Sequence, residues 1–306
     1  MLVGLVTNWW KDLKIKIRFD VPLDKYTTFK IGGPAKYFLE PKNTEELIRA
    51  VKLLKRYPPR AKGGKLPILI LGSGSNILVM DKGIEAVVIH LNSAYFKKIS
   101  LKKGQRLQVG SGARLSRILS FSRRHNLSGL EFLAGIPGTL GGAIMMNAGI
   151  PDKTIADRIE NVTVMDYNGR IKTLAKKEIK FTYRSSNLSK YIILSATLKL
   201  SKDKNSVKEK IKYYLKKRYL TQDLMYPSAG CIFKNPPGES AGRLIDLCGL
   251  KGKRIHDACI SKRHANFILN LGKARAKDVL RLIRLVKKKV KKKFHINLEP
   301  EIKIWK

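Results

Sequence analysis

Glu131-Phe132-Leu133-Ala134-Gly135-Ile136-Pro137-Gly138-Thr139-Leu140-Gly141-Gly142 is the stretch of the chain that decides its fold. Four glycines and one proline fall within residues 135–143, and Met145-Met146-Asn147-Ala148-Gly149 follows closely. Glycine lets a backbone approach a ligand and turn its N–H groups inward, which suits a long, flat ligand that carries a diphosphate. A buried glycine-rich turn without a ligand is the alternative interpretation.

A second candidate loop, Gly72-Ser73-Gly74-Ser75-Asn76, follows an apolar strand predicted over Pro67–Leu71. Its N–H groups and its serine and asparagine side chains are typical phosphate donors, although an ordinary turn between strands would have the same composition. The chain has no GxxxxGK[ST] sequence, which excludes a P-loop. Gly72-x-Gly74 and Gly110-x-Gly112 both lack the third glycine of the dinucleotide fingerprint, so a Rossmann fold is excluded too.

Helices and strands alternate around these two loops. Apolar periodicity predicts helices that start at Asn43 and that cover Ala276–Phe294. Further helices are predicted over about Leu115–His125 and over Ala241–Cys248, and Ser206–Tyr219 is predicted to be a basic helix that serves as a linker. Further strands are predicted over Ala35–Glu40, Ile77–Val79, Ala86–Leu91, Arg106–Gly110, Tyr191–Leu200 and Ala265–Leu269. Tyr167-Asn168-Gly169 predicts a hairpin between Asn161–Asp166 and Arg170–Leu174, and Tyr57–Lys65 a loop that joins subdomains.

The charge balance is extreme, with 63 Lys and Arg against 23 Asp and Glu in 306 residues, a formal net charge of +40. Such an excess attracts polyanions. However, the lysines are spread over the whole chain, and no zinc finger, helix-turn-helix or aromatic-interleaved basic stretch is present. We therefore interpret the charge as solvated surface and expect no nucleic-acid partner.

The three cysteines, Cys231, Cys248 and Cys259, form no CxxC pair, so neither a disulfide framework nor a metal site is expected. The apolar start, Met1–Trp10, is too short for a membrane span and has no cleavage-site pattern. We expect a cytosolic monomer without a membrane partner.

Several motifs together resemble the UDP-N-acetylenolpyruvoylglucosamine reductase family. They occur in the family's order over about Asp20–Trp305, and they are Tyr26–Ala35, Gly72–Asn76, Gly129–Gly149, Tyr183–Ser186, Pro227–Pro236, His264–Phe267 and Leu298–Ile302. The short spacing between Arg184 and Pro227 is similar to the family's second type, which lacks a tyrosine-bearing loop insertion.

The resemblance implies an α+β protein with a two-subdomain FAD-binding unit of the vanillyl-alcohol-oxidase (PCMH) type and a C-terminal α+β substrate-binding domain. We expect the FAD-binding unit over residues 1–202, with subdomains of about 1–62 and 63–202, and the C-terminal domain over 203–306. The implied reaction is the NADPH-dependent reduction of the UDP-sugar UDP-N-acetylglucosamine enolpyruvate to UDP-N-acetylmuramate, a precursor of peptidoglycan. The expected cofactor-binding residues are Gly72, Ser73, Gly74, Ser75, Asn76, Gly135, Ile136, Pro137, Gly138, Thr139, Gly141, Gly142 and Asn147.

Three residues match catalytic positions of the family. Hydride addition to an α,β-unsaturated carboxylate creates an enolate, which needs a fixed cation and an acid. Arg184 can grip the carboxylate with a planar pair of donors. Cys231 stands where many members have a serine as proton donor, and a thiol can fill the same role. Glu301 matches a catalytic carboxylate that orients a donor or shares the proton.

The expected substrate-binding residues, which match the family's pattern or lie near it, are Tyr183, Lys234, Asn235, Lys251 and His264. One departure follows Asn147-Ala148-Gly149, where Ile150-Pro151-Asp152-Lys153 replaces the Ala-Tyr-Gly-like turn of many members. Two other hypotheses remain open: a flavoenzyme of the same fold with a different substrate, and a basic nucleic-acid-binding protein without catalysis.

Overall fold

The computed structural model describes residues 15–56, 58–61, 64–203 and 205–306, so the predictions made for Met1–Trp10 lie outside it. The first region is a four-stranded sheet in the order β1-β2-β7-β5 with one long helix. Its elements are β1 (Ile17–Pro22), β2 (Pro34–Leu39), α1 (Thr44–Arg56), β3 (Arg60–Ala61), β4 (Gly64–Lys65), β5 (Ile68–Leu71), β6 (Ile77–Val79) and β7 (Ile84–His90). Strands β2 and β5 run parallel to β7, and β1 is antiparallel to β2.

The second region holds a five-stranded antiparallel sheet in the order β14-β13-β17-β9-β8. Its elements are β8 (Ile99–Lys102), β9 (Arg106–Gly110), α2 (Leu115–Arg124), β10 (Leu127–Ser128), α3 (Leu140–Met145), β11 (Gly149–Ile150), β12 (Lys153–Thr154), β13 (Ile159–Met165), β14 (Ile171–Ala175), β15 (Phe181–Thr182), β16 (Ser185–Ser186), β17 (Ile192–Lys199) and β18 (Ser201–Lys202). Helix α1 joins the two regions, because its buried residues share a core with Met165, Ile192 and Leu194 of this sheet.

The third region packs helices against a small sheet in the order β19-β22-β21-β20. Its elements are α4 (Val207–Thr221), β19 (Ser228–Cys231), α5 (Ala241–Leu247), β20 (Arg254–Ile255), β21 (Ala258–Ile260), β22 (Phe267–Asn270), α6 (Ala276–Phe294) and β23 (Lys303–Trp305). The final strand, β23, leaves this region and pairs in parallel with β6. Phe29, Ile31 and Leu78 of the first region lie in the same hydrophobic core as α5 and α6.

Local sequence explains the elements that frame the site. Asn43 begins α1 by accepting a hydrogen bond from the Glu46 N–H at 2.9 Å. The apolar stripe of α6, which consists of Val279, Ile283, Val286 and Val290, is buried, and the helix has the bounds that the periodicity predicted. The predicted hairpin around Asn168 joins β13 and β14. Within the predicted loop Tyr57–Lys65, the described residues form a short antiparallel pair, β3 with β4.

The expected subdomain boundary at residues 62 and 63 falls inside the first sheet, because β5 and β7 come after it, β7 pairs with β2, and β5 pairs with β7. We propose instead a division just after β7, where one sheet ends and the next begins. No helix among the described residues is long and apolar enough to cross a membrane.

Candidate active site

The two glycine-rich loops face each other across the first two regions. A Cβ added to Gly72 would lie 2.7 Å from Thr139 Oγ1, and one added to Gly138 would lie 3.7 Å from Ser75 Oγ. The structure therefore brings together both segments that the sequence predicted for cofactor binding. Thr28 fixes the first loop: its N–H donates to the Gly74 carbonyl at 3.2 Å, and its hydroxyl donates to the Ser228 carbonyl at 2.7 Å.

The first loop has the geometry of an anion nest. Gly74 has φ +62°, and a Cβ there would lie 2.1 Å from the Tyr26 carbonyl oxygen, so only glycine fits. In the described structure the N–H groups of residues 73–76 donate no hydrogen bond to protein atoms. Consecutive free N–H groups in a turn that contains a positive φ are suited to a phosphate.

Asn76 connects this loop to the C-terminal domain. Its Nδ2 donates to the Glu301 carbonyl oxygen at 3.3 Å, and its own carbonyl oxygen accepts the Lys303 N–H at 2.9 Å. The Asn76 side chain therefore bonds to the main chain of a predicted catalytic residue. Its predicted contact with the cofactor stays a prediction.

The second loop ends in a short helix, α3, which the sequence did not predict because glycine disfavours helices. Thr139 caps α3 by accepting the Gly142 N–H at 3.4 Å. Gly141 lies against Ser111, because a Cβ at Gly141 would be 3.1 Å from Ser111 Cβ. The Ser111 hydroxyl is buried and has no hydrogen-bond partner among the described residues. A buried hydroxyl beside a glycine loop fits a bound polar group, because an unpaired one costs free energy.

Arg184 lies in the turn of a two-residue hairpin between β15 and β16. Its backbone has φ +54°, which is uncommon for a residue that is not glycine. Its Nε lies 3.3 Å from Glu301 Oε1, and the two side chains are only 22% and 16% exposed. The two charges attract, but the Nε–H finds no hydrogen-bond acceptor among the described residues. Such a buried donor is available for a ligand oxygen.

Cys231 and Glu301 are brought together by main-chain pairing. The Glu301 N–H donates to the Ile232 carbonyl at 2.8 Å, and the Lys234 N–H donates to the Glu299 carbonyl at 2.9 Å. Asn266, from the predicted His264–Phe267 motif, fixes the same segment, because its side chain bonds to both the N–H and the carbonyl of Phe233. The structure thus places all three predicted catalytic residues in one cluster.

The pKa values in this cluster follow from burial first and from charge second. Burial raises the pKa of the Cys231 thiol to about 12; the nearby carboxylate of Glu301 adds to the rise, and Arg184 and Arg218 oppose it. Burial also raises the pKa of Glu301, against the opposing effect of Arg184. The thiol is therefore protonated at neutral pH, which makes it a proton donor rather than a nucleophile.

Arg218 is a member of the site that the sequence analysis missed, since it was included in a basic linker helix. Its Nε donates to the Ala134 carbonyl at 3.0 Å, and its Nη1 donates to Gln222 Oε1 at 3.2 Å. A Cβ at Gly135 would lie 2.7 Å from Arg218 Cδ, so the arginine covers the second loop. Burial lowers the pKa of Arg218. Nothing local distinguishes this arginine from the lysines around it.

The predicted substrate-binding residues fall into two groups. The Asn235 N–H donates to the Tyr183 hydroxyl at 3.4 Å, which joins the hairpin to the C-terminal domain, and Lys234 pairs with Glu299 at 2.7 Å. Lys251 pairs with Asp246 at 2.6 Å. Burial, with a contribution from Lys251, lowers the pKa of His264. Among the described residues, no hydrogen bond or ion pair joins Lys251 or His264 to the catalytic cluster, and the substrate roles stay predictions.

The arrangement can stabilise a developing anion and deliver a proton to it. Arg184 and Arg218 supply fixed positive charge, Cys231 supplies a thiol proton, and Glu301 lies beside both Arg184 and the thiol. The glycine loops provide a cradle for a diphosphate next to this cluster. Such a fold and such a site define a FAD-dependent oxidoreductase.

Comparison with known proteins agrees with this class. Residues 35–175 match the FAD binding domain, and residues 222–305 match the C-terminal domain of UDP-N-acetylenolpyruvoylglucosamine reductase. The reductase of Moorella thermoacetica is 40% identical over 99% of this chain and 98% of its own length. That of Caldicellulosiruptor saccharolyticus is 43% identical over 94% of this chain and 92% of its own. The chain belongs to the UDP-N-acetylenolpyruvoylglucosamine reductase family.

Solved structures support the fold. The crystal structure of UDP-N-acetylenolpyruvylglucosamine reductase from Thermus caldophilus is similar with a TM-score of 0.80 and 39% identity, over 95% of this chain and 99% of that one. A solvent-stable cholesterol oxidase, 14% identical, shares part of the fold, with a TM-score of 0.50 over 65% of this chain and 40% of that one. The predicted fold class, an FAD-binding unit with an added C-terminal domain, is confirmed.

Proposed function

We propose that the protein reduces the enolpyruvyl group of UDP-N-acetylglucosamine enolpyruvate with NADPH and yields UDP-N-acetylmuramate for peptidoglycan. The observation that carries this proposal is the meeting of Arg184, Cys231 and Glu301 in one cluster beside the glycine loops. A carboxylate-gripping cation and a protonated acid are what conjugate reduction of an unsaturated acid requires.

The residues of the two loops fit FAD. The free N–H groups of residues 73–76 would hold the diphosphate, and the buried Ser111 hydroxyl beside Gly141 would find a partner. FAD held there would supply hydride transfer between NADPH and the methylene carbon of the substrate, which becomes a methyl group.

The protein's own residues complete the addition. As the hydride adds, negative charge develops on the substrate carboxylate, where the buried Nε–H of Arg184 can donate a hydrogen bond. The Cys231 thiol then gives its proton to the α-carbon. The resulting thiolate is a strong base in its buried setting and recovers a proton through Glu301, whose own pKa is raised. One hydride and one proton are added in total, and NADPH becomes NADP⁺.

The decisive experiment is anaerobic and has two steps. Addition of NADPH should bleach the flavin absorbance of the purified protein, and subsequent addition of UDP-N-acetylglucosamine enolpyruvate should restore it. If NADPH bleaches the flavin but this substrate does not restore the colour, the protein is a flavoenzyme with a different substrate. If the purified protein binds no FAD at all, the proposal fails entirely. Parallel addition of NADH would establish the preferred donor.

We also propose that the protein works as a monomer in the cytoplasm, without nucleic acid. The three cysteines are free, which suits a reducing compartment. The sequence has no zinc-finger, helix-turn-helix or aromatic-interleaved basic motif that would read bases. Light scattering at working concentrations should give one chain per particle, and a dimer would contradict this part of the proposal.

A further inference from the structure

We propose that Asn147 is a positioning residue that holds the Tyr183–Arg184 hairpin in its catalytic place. Asn147 follows α3 at the end of the second glycine loop and is 7% exposed. Its Nδ2 donates to the Thr182 carbonyl oxygen at 3.1 Å, directly before the two hairpin residues. Its Oδ1 accepts the Ala156 N–H at 3.4 Å. The amide therefore uses its donor on the hairpin and its acceptor on a separate segment.

A second bond anchors the other strand of the hairpin to the same place. The Ser186 hydroxyl donates to the Met145 carbonyl oxygen at 3.1 Å, two residues before Asn147. Both strands of the hairpin are thus tied to the chain that leaves α3. The hairpin contains only two paired positions on each strand, so its orientation depends on these outside contacts.

The side chain at residue 147 must satisfy three demands. The backbone has φ +42°, a region in which Asn and Asp are the best tolerated residues other than glycine. The side chain must be short, and it must donate to one carbonyl while it accepts from one N–H. Asparagine meets all three, whereas aspartate meets the first two and places a carboxylate against the Thr182 carbonyl.

This role differs from the cofactor contact that the sequence predicted for Asn147. A cofactor contact would make Asn147 a determinant of FAD affinity. A positioning residue would instead control the step that uses Arg184, because the guanidinium must stay 3.3 Å from Glu301 and within reach of the substrate. The inference rests on the proposed function of Arg184, but the geometry of the hairpin can be tested independently.

The test is Asn147→Asp, which is isosteric and replaces the amide donor by a carboxylate oxygen that faces the Thr182 carbonyl. At about pH 8 we expect unchanged FAD affinity and unchanged bleaching by NADPH, and reoxidation by the enolpyruvyl substrate slowed roughly tenfold or more. As the pH falls toward about 5, the introduced carboxyl gains a proton, since burial raises its pKa, and the reoxidation rate should approach that of the wild type. A general structural defect would instead lower FAD affinity and slow the bleaching by NADPH together with reoxidation.

The matched control is Asn126→Asp, the same change at an exposed asparagine with φ +53° that lies outside the site. It should leave both half-reactions and their pH dependence unaltered. The proposal would be overturned if the flavin of the Asn147→Asp variant were reoxidised at the wild-type rate at about pH 8. It would also be overturned if the variant lost only FAD affinity.

Amide hydrogen exchange separates failure of this inference from failure of the proposed function. If the wild-type flavin is not reoxidised by the enolpyruvyl substrate, the proposed function is wrong. Residues 181–186 should nevertheless exchange faster in the Asn147→Asp variant than in the wild type, because the hairpin has lost an anchor. Unchanged exchange there would refute the positioning role, whatever the substrate is.

Discussion

Arg184 and Glu301 lie with Nε and Oε1 3.3 Å apart, although one belongs to a hairpin of the FAD-binding unit and the other to the C-terminal segment. The contact joins the two parts of the protein at the cluster that is proposed to do the chemistry. Asn76 supports it from a third side through its bond to the Glu301 carbonyl. The site therefore exists only when both domains are docked.

Replacement of Arg184 by lysine should slow reoxidation of the reduced flavin by the enolpyruvyl substrate by a factor of about 10² to 10³. Lysine keeps the charge but loses the planar pair of donors. The step in which NADPH reduces the flavin should change little. Stopped-flow absorbance measures both steps. Arg106→Lys is the control, since Arg106 pairs with Glu160 at 2.7 Å outside the site, and a similar loss in that variant would refute the assignment.

The sequence predicted the long regular elements well because each carries its own pattern. Helix α6 has an apolar stripe that only a helix can bury, and β9 has the alternation of a half-buried strand. The resemblance also predicted Arg184, Cys231 and Glu301, and the structure brings these three together. These agreements come from information that is local, or from motifs that were recognised as a set.

Other features depend on contacts between distant residues, and no local pattern predicted them. Helix α3 is rich in glycine, which disfavours helices, and it forms because Thr139 caps it and its apolar residues are buried. Strand β23 is too short to be recognised, and its partner β6 is far away in the chain. Arg218 becomes a site residue only when α4 packs against Gly135.

The pH dependence of the second half-reaction should show the raised pKa of Cys231. The thiol is the active form and is present below its pKa, so the rate falls only as the pH rises toward about 12. An unperturbed thiol, with a pKa of about 8.5, would cause a fall near that value instead. We therefore expect a flat reoxidation rate between about pH 7 and pH 10, measured by stopped flow with pH jumps. A fall centred near 8.5 would contradict the buried thiol.

Substitutions at Cys231 test its role as the proton donor. Cys231→Ala should slow reoxidation by roughly 10² to 10⁴, the usual contribution of a general acid, and should spare reduction by NADPH. Cys231→Ser keeps a donor of similar size and should retain more activity than the alanine variant. Cys248→Ala, outside the site, is the control. Equal losses in both half-reactions of the alanine variant would exclude this role.

Gly74→Ala should weaken FAD binding by at least about tenfold, as measured by fluorescence titration of the apoprotein. The new Cβ would lie 2.1 Å from the Tyr26 carbonyl oxygen, so the nest of N–H groups must move. Gly249→Ala is a close control, because Gly249 has φ +66° and no atom within 4 Å of the added Cβ. That variant should lose about 1 kcal/mol of stability and bind FAD normally. Normal FAD binding by the Gly74 variant would show that this loop does not hold the diphosphate.

Asp81→Ala should loosen the docking of the C-terminal domain. The two carboxylate oxygens of Asp81, which lies between β6 and β7, accept the N–H groups of Ala276 and Lys277 at 2.7 and 3.0 Å. These bonds cap the first turn of α6 from a different domain, so their loss should lower the free energy of unfolding by about 1 kcal/mol. The urea midpoint measures this, with Asp152→Ala, at an exposed aspartate, as the control. Glu301 lies in the chain between α6 and β23. A looser α6 should therefore also let Glu301 move away from Arg184, which would raise the KM for the UDP-sugar. A lower midpoint with an unchanged KM would mean that β23 alone keeps the catalytic cluster assembled.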